Sequence, residues 1–343
     1  MAAPENLNAL AVKVARLYHY QGLTTERIAR ELGLSRSKVS RLLTHARQAG
    51  LIEIRVHDPE AQPQELERQI QDRFHIPSVK VVTVPLNSTE DEWLKGVALY
   101  AAKHINNVVH SEMVVGLAWG ATIDAISRQL TPKRCVHVDI VQLNGSGNVY
   151  GMSNFYIGDI YTRFAMNYGG RAHLFPVPAF FDHRESKQAM WKERSVQRIK
   201  EMAAKADLLV YSIGSPDARI PSYVHAGGFL EPNDTAELQR EGVVGDIATV
   251  FFRFDGSYDN IPLNERASGP DLSLFKRAKH ALCVVSGLAK AVGVRAALRG
   301  GLMSELIVDE PTARAILWPD SEELPENGER PPRKTKARKQ APR

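Results

Sequence analysis

The chain has 343 residues, 43% of them hydrophobic and 24% charged, an ordinary globular composition with length for two domains or three. No apolar run approaches the ~20 residues of a membrane span, MAAPENLNAL lacks the basic and apolar regions of a secretion signal, and the distant Cys135 and Cys283 fit neither a disulfide framework nor a zinc site, so a cytoplasmic protein is expected. The net charge of +5 is uneven: residues 1–57 carry +5, residues 330–343 carry +7, and 58–329 are left at −7, as suits a chain whose ends alone meet a polyanion.

The first elements read as three helices. Asn8–Tyr20 puts Leu10, Val14 and Leu17 on one stripe. After Gly22-Leu23, Thr24 caps Thr25–Leu32, which turns Ile28, Ala29 and Leu32 inward and ends at Gly33. Ser35 caps Arg36–Ala49, closed by Gly50. The two short helices around Gly33-Leu34-Ser35 form a helix-turn-helix. Val39, Leu42, Leu43 and Ala46 follow the buried spacing i, i+3, i+4, i+7. The opposite face presents Ser37, Arg41, Thr44 and Gln48, flanked by Lys38 and Ser40, with no carboxylate, which suits a DNA major groove. Recognition helices read bases with their N-terminal half, so Ser37, Ser40 and Arg41 are the base-reading candidates. Arg36, Lys38 and Arg47 are the candidates for phosphate contacts. LIEIRVH (51–57) alternates as a short strand, completing a DNA-binding domain over 1–57.

DPEAQPQ opens a linker with a short helix, 58–78. From Val79 the pattern changes to compact Val-rich strands at 79–84, 113–116, 136–143, 208–213, 248–252 and 281–285. Helices are expected between them at 93–108, 122–129, 157–168, 187–206, 289–298 and 311–317. This alternation predicts an α/β domain over 79–319 with a mainly parallel sheet. Residues 320–343, acidic and then Pro-rich and basic, are expected to be a disordered tail. That tail serves either a polyanion or solubility.

Ligands of open α/β sheets sit beyond the carboxyl ends of the strands. Four glycine turns follow strands there, at Gly116–Gly120, Gly145–Gly147, Gly214-Ser215 and Gly287. In GLAWGAT, Gly116 and Gly120 allow close backbone approach, Trp119 can floor the site, and the N–H groups of Ala121 and Thr122 with the Thr122 hydroxyl can hold a phosphate. Asn144, Gly145 and Ser146 of NGSGN, and Gly214 and Ser215 of IGSP, line the same crevice. Lys290 offers a point charge, and Asp246 and Asp255 offer hydroxyl acceptors. GLAWGAT and NGSGN contain no titratable side chain, so no compact acid–base pair is evident. His173, His183 and His225 show no metal-ligand spacing and read as surface or turn residues. No metal or cofactor is expected.

The string from Ile28 to Ile52 resembles the SorC family of bacterial transcriptional regulators, also called sugar-binding DeoR-like. The match to its pattern IAxxLGxSRxxVSRLLxxAxxxGxI runs through Ile28-Ala29, Leu32-Gly33, Ser35-Arg36, Val39–Leu43, Ala46, Gly50 and Ile52. GLAWGAT resembles the family's GxSWGxT turn with Ala118 for Ser, and YSIGSP its GxGSP turn with Ser212 for Gly. GVVGDI, FFRFDG, SGLAK and ALRGGLMSELIVDE resemble its later segments. The resemblance covers about residues 8–318. It implies a sugar-phosphate isomerase-like effector domain, a homodimer or homotetramer on double-stranded operator DNA, and control by a phosphorylated sugar or polyol. The alternative is an isomerase-like enzyme with an accessory DNA-binding module.

Overall fold

The computed structural model describes residues 7–52, 63–85, 87–147, 152–216 and 222–319. The chain divides into two units, Met1–Ala61 and Gln62–Arg343.

The first unit holds α1 (Leu7–His19), α2 (Thr25–Leu32) and α3 (Arg36–Gln48). Its boundaries follow from local chemistry. Thr24 accepts the Arg27 N–H at 3.3 Å and Ser35 the Lys38 N–H at 3.2 Å, satisfying donors that a helix start leaves open. Gly33 ends α2 in the left-handed region at φ 64°, which glycine alone adopts without cost. Ala11, Val14 and Ala15 of α1, Ile28 and Ala29 of α2, and Val39, Leu42 and Ala46 of α3 form one core, edged by half-buried Leu10, Leu17, Leu32 and Leu43. Of the strand expected at 51–57, residues 53–57 lie outside the described residues. Leu51 and Ile52 are not strand: both N–H groups fold back onto the Ala46 carbonyl.

The second unit begins with α4 (Pro63–Phe74), β1 (Ser78–Val82), α5 (Glu90–Val108), β2 (Val114–Leu117), α6 (Ala121–Ser127), β3 (Asp139–Gln142), α7 (Met152–Tyr168) and β4 (Arg171–His173). It continues with α8 (Arg184–Met190), α9 (Arg194–Ala204), β5 (Leu208–Tyr211), α10 (Tyr223–Ala226), α11 (Pro232–Arg240), β6 (Val243–Ile247) and β7 (Val250–Arg253). It closes with α12 (Pro262–Arg266), α13 (Ser273–Arg277), β8 (His280–Val285), a 3₁₀ turn (Leu288–Lys290), α14 (Ala291–Arg299), β9 (Glu305–Asp309) and α15 (Glu310–Leu317). Seven strands form a parallel sheet in the order β1-β9-β8-β5-β2-β3-β4. Alternate strand residues feed a separate core on each face: Leu209, Tyr211, Cys283 and Leu306 on one, Leu208, Val210, Leu282 and Val284 on the other. Burial on both faces explains why these strands read as continuous apolar runs. From β2 the chain adds β3 and β4 on one side, then β5 on the other. The order therefore reverses between β2 and β5, and at such a switch point the loops diverge and leave a crevice.

Three expectations are corrected. The strand placed at 248–252 is not in the sheet: β6 and β7 form a separate antiparallel hairpin. Ala248 and Thr249 turn it with φ of 49° and 68°, the positive pair that a two-residue hairpin turn requires. The single helix expected at 187–206 is two, because the chain turns at Trp191, whose ring packs on Phe175 and Phe181. β4, β6, β9, α10, α11, α12 and α13 were not anticipated. The tail 320–343 and most of the 58–64 linker lie outside the described residues.

Candidate functional site

In the first unit the α3 face is laid open by the burial of its opposite stripe. Arg36, Ser37, Lys38, Ser40, Arg41, Thr44 and Arg47 are all exposed. Arg36 is drawn to Glu26 of α2 at 3.2 Å, with both side chains more than half exposed, a pair weak enough to exchange for a phosphate. Ser37 Oγ lies 3.1 Å from the capping Ser35 Oγ, and Arg41 Nε donates to the Ser37 carbonyl at 3.3 Å. Lys38, Ser40, Thr44 and Arg47 complete a carboxylate-free surface along one helix.

In the second unit a crevice opens at the carboxyl ends of β2 and β5. Its walls include Ala118, Trp119, Gly120, Ala121 and Thr122 after β2, Asn144 after β3, Ser212, Ile213 and Gly214 after β5, and Asp246 and Lys290. The open space is about 50 Å³, room for a few waters, so a sugar-sized ligand requires the walls to part. Gly120 begins α6 at φ 149°, a glycine conformation, and presents the first N–H groups of that helix, Ala121 and Thr122, which lack helical partners. The Trp119 indole is both core and wall: 7% exposed, it donates to the Asn144 and Gly145 carbonyls at 3.2 and 3.0 Å. Asn144, 1% exposed, leaves its side-chain oxygen without a hydrogen-bond partner among the described residues, as does the Ser212 hydroxyl. Asp246 and Gly214 are joined by two backbone hydrogen bonds, 2.9 and 3.2 Å. The buried Lys290 ammonium has its proton affinity lowered by desolvation, which Cys283, Asp246, Asp309 and Glu90 oppose.

Five expected residues stand outside the crevice walls. Gly116 lies within β2, where a Cβ would meet Leu143 and Leu209 at 2.8 Å, so its small size serves packing. Gly145 gives its N–H to Ser268 Oγ at 2.9 Å. Ser146, partly exposed, follows it away from the walls. Ser215 donates to the Ala289 carbonyl at 3.1 Å. Asp255 is exposed and accepts the Ser257 N–H at 2.9 Å; the Ser257 hydroxyl, and after it that N–H, hold its carboxyl below the usual range. The Gly287 turn is also spent internally, its N–H donated to Asp309 and Thr312.

His225 is corrected in the other direction. Its side chain is 11% exposed, and Nε2 lies 3.3 Å from Asp246 Oδ1, so it is a half-buried residue beside a wall of the crevice. An imidazole and a carboxylate thus stand together where the glycine turns alone showed no titratable group. Ser212 was visible in the sequence as the departure from a glycine turn, whereas nothing in the local sequence marks His225.

The Sugar-bind family model, a sugar-binding domain, matches residues 58–318. The chain belongs to the SorC family of sugar-binding transcriptional regulators. A Sigma-70 region 4 model, a DNA-binding helix-turn-helix, matches residues 5–49 of this SorC-family regulator. It is 29% identical over 312 residues to the deoxyribonucleoside regulator of Bacillus subtilis (strain 168), covering 90% of this chain and 97% of the other. The sorbitol operon regulator of Klebsiella pneumoniae is 24% identical over 90% of this chain and 97% of its own. A solved domain of a sugar-binding transcriptional regulator from Arthrobacter aurescens TC1 superposes with a TM-score of 0.71 at 43% identity, over 76% of this chain and all of that one. The full-length sorbitol operon regulator from Klebsiella pneumoniae shares the fold, with a TM-score of 0.72 at 24% identity over 92% of this chain and all of that one. The SorC-family regulator thus joins a DNA-binding helix-turn-helix to a sugar-binding domain, and effector-controlled DNA binding is its function.

Proposed function

We propose that the chain is a cytoplasmic homodimer or homotetramer that binds operator DNA of a carbohydrate or polyol catabolic operon, and that a phosphorylated sugar or polyol in the crevice controls this binding. The observation that carries the reading is the chemistry at the β2/β5 switch point. A backbone turn at Gly120–Thr122 and the buried Lys290 stand ready for an anion, while Asn144, Ser212 and Asp246 each have a side-chain oxygen with no hydrogen-bond partner among the described residues, available to hydroxyls. Relative to the family pattern, Ala118 removes a hydroxyl from the β2 turn and Ser212 adds one to the β5 turn. Ligand choice follows that exchange. Ser37, Ser40 and Arg41 would read base edges, with Thr44 beside them, while Arg36, Lys38 and Arg47 hold phosphates. Because the crevice is too small for a sugar as it stands, a ligand binds one arrangement better than another and shifts operator affinity by that difference. An oligomer is needed because one helix-turn-helix reads too few base pairs.

A thermal-shift panel of pentose, hexose and polyol phosphates, with inorganic phosphate and the free sugars beside them, tests the ligand class. A phosphorylated member raises Tm with concentration, because binding stabilises the native state by mass action. Stabilisation by free sugars alone would remove the phosphate from the reading. A second reading, turnover of a sugar phosphate, is favoured by the His225–Asp246 pair. A product-formation assay on the stabilising ligand decides it.

A further inference from the structure

Two buried polar atoms beside the crevice face each other without a hydrogen bond. His225 Nε2 and Asp246 Oδ1 are 3.3 Å apart, yet the contact is not a hydrogen bond, and neither atom has a hydrogen-bond partner among the described residues. Their side chains are only 11% and 5% exposed. Both are held in place by other contacts. The imidazole meets the Phe251 ring edge to face, centroids 6.0 Å apart, and the His225 N–H is tied to the Ser222 carbonyl at 2.9 Å. The carboxylate is fixed through its second oxygen, which accepts the Thr249 N–H at 3.3 Å.

Buried donors and acceptors are seldom left unmade, and each unmade one points to a missing partner. A hydroxyl satisfies this pair with one group: its O–H donates to Oδ1 while its oxygen accepts from an Nε2–H imidazole. A phosphate dianion has no proton to donate and would face the carboxylate. A carbonyl likewise only accepts, and an ammonium only donates. We infer that His225 and Asp246 together read a single hydroxyl of the effector, so that the regulator rejects the sugar or polyol deoxygenated at that carbon. The inference rests on the crevice reading above. It adds two things: the hydroxyl-bearing end of the ligand lies against β6 and α10, and His225, at a position the glycine motifs do not mark, takes part in recognition. Hydroxyl reading of this kind is the selective arrangement, because the deoxy analogue leaves both buried atoms unpaired.

The first test needs no ligand. In the full chain with ¹⁵N-labelled histidine rings, and His225→Gln to assign the signal, His225 at neutral pH shows the Nε2–H tautomer. An Nδ1–H tautomer turns a lone pair toward Asp246 and overturns the proposal. The second test titrates ribose 5-phosphate and glucitol 6-phosphate, their monodeoxy counterparts and inorganic phosphate by calorimetry. In the wild type one deoxygenation weakens binding by roughly tenfold or more. His225→Phe brings that pair within about threefold, and His225→Gln, which keeps an N–H donor, recovers part of the discrimination. If a sugar phosphate binds and no deoxygenation matters, the hydroxyl reader is wrong and the crevice stands. If none of the probes binds, the crevice reading fails and the reader fails with it.

Discussion

Gly214→Ala abolishes most effector binding and leaves operator binding intact. A Cβ at 214 would stand 1.9 Å from Asp246 Oδ1 and 2.8 Å from both Asp246 Cγ and Ser222 Oγ. The backbone cannot retreat easily, because Gly214 and Asp246 are locked together by their two hydrogen bonds. The carboxylate must therefore swing away, losing the Thr249 N–H and its place in the crevice wall. Loss of a hydrogen bond to a charged group costs about 1.5–3 kcal/mol, or roughly 10- to 150-fold in affinity. Calorimetry with the stabilising phosphate measures the loss, and a gel shift without effector shows operator affinity retained. Wild-type ligand affinity in Gly214→Ala would mean that Asp246 does not contact the ligand.

Arg41→Ala weakens operator binding by roughly 5- to 150-fold, the range for about 1–3 kcal/mol from one base-reading side chain. The helix survives the change. Ser35 caps α3 through Lys38, and among the described residues Arg41 contributes a 3.3 Å hydrogen bond to a carbonyl of its own helix. The loss should be largest on the cognate sequence and small on random DNA. Arg47→Ala should instead lower affinity evenly across sequences and flatten its dependence on salt. Gel shifts at two salt concentrations separate the patterns, with circular dichroism confirming the helices. An Arg41→Ala protein that binds its operator like the wild type removes α3 from the base-reading role.

The sequence shows most clearly what local chemistry fixes. Thr24, Gly33 and Ser35 set the boundaries of α2 and α3, and Val39, Leu42 and Ala46 set the buried face of α3. The sheet strands are legible because burial on both faces makes them uniformly apolar. The hairpin β6–β7 is hidden because Ala248 and Thr249 lack the Gly or Asn that normally marks such a turn. Their positive φ values are held by one local and one long-range contact: Asp246 accepts the Thr249 N–H three residues on, and the Ala248 carbonyl crowds Gly269. In the crevice, Trp119, Gly120, Ala121, Thr122, Asn144, Gly214, Asp246 and Lys290 are brought together as their strand-end positions suggest. Gly116, Gly145 and Ser215 have the same local signature but spend their small size or polar groups on packing. His225 reaches Asp246 because the chain brings α10 to β6, a long-range fact that no spacing rule carries.

The proposed function couples a metabolite in the crevice to DNA at α3 within one chain. Fluorescence anisotropy of the labelled operator, titrated with the full-length protein with and without the stabilising sugar or polyol phosphate, measures that coupling directly. That coupling changes operator affinity by roughly 5- to 150-fold, the usual span of a 1–3 kcal/mol coupling, and is absent in a Gly120→Asp, Thr122→Val double variant that still binds DNA. An operator affinity unchanged by a ligand that demonstrably occupies the wild-type crevice, or a response that persists in the double variant, would contradict it.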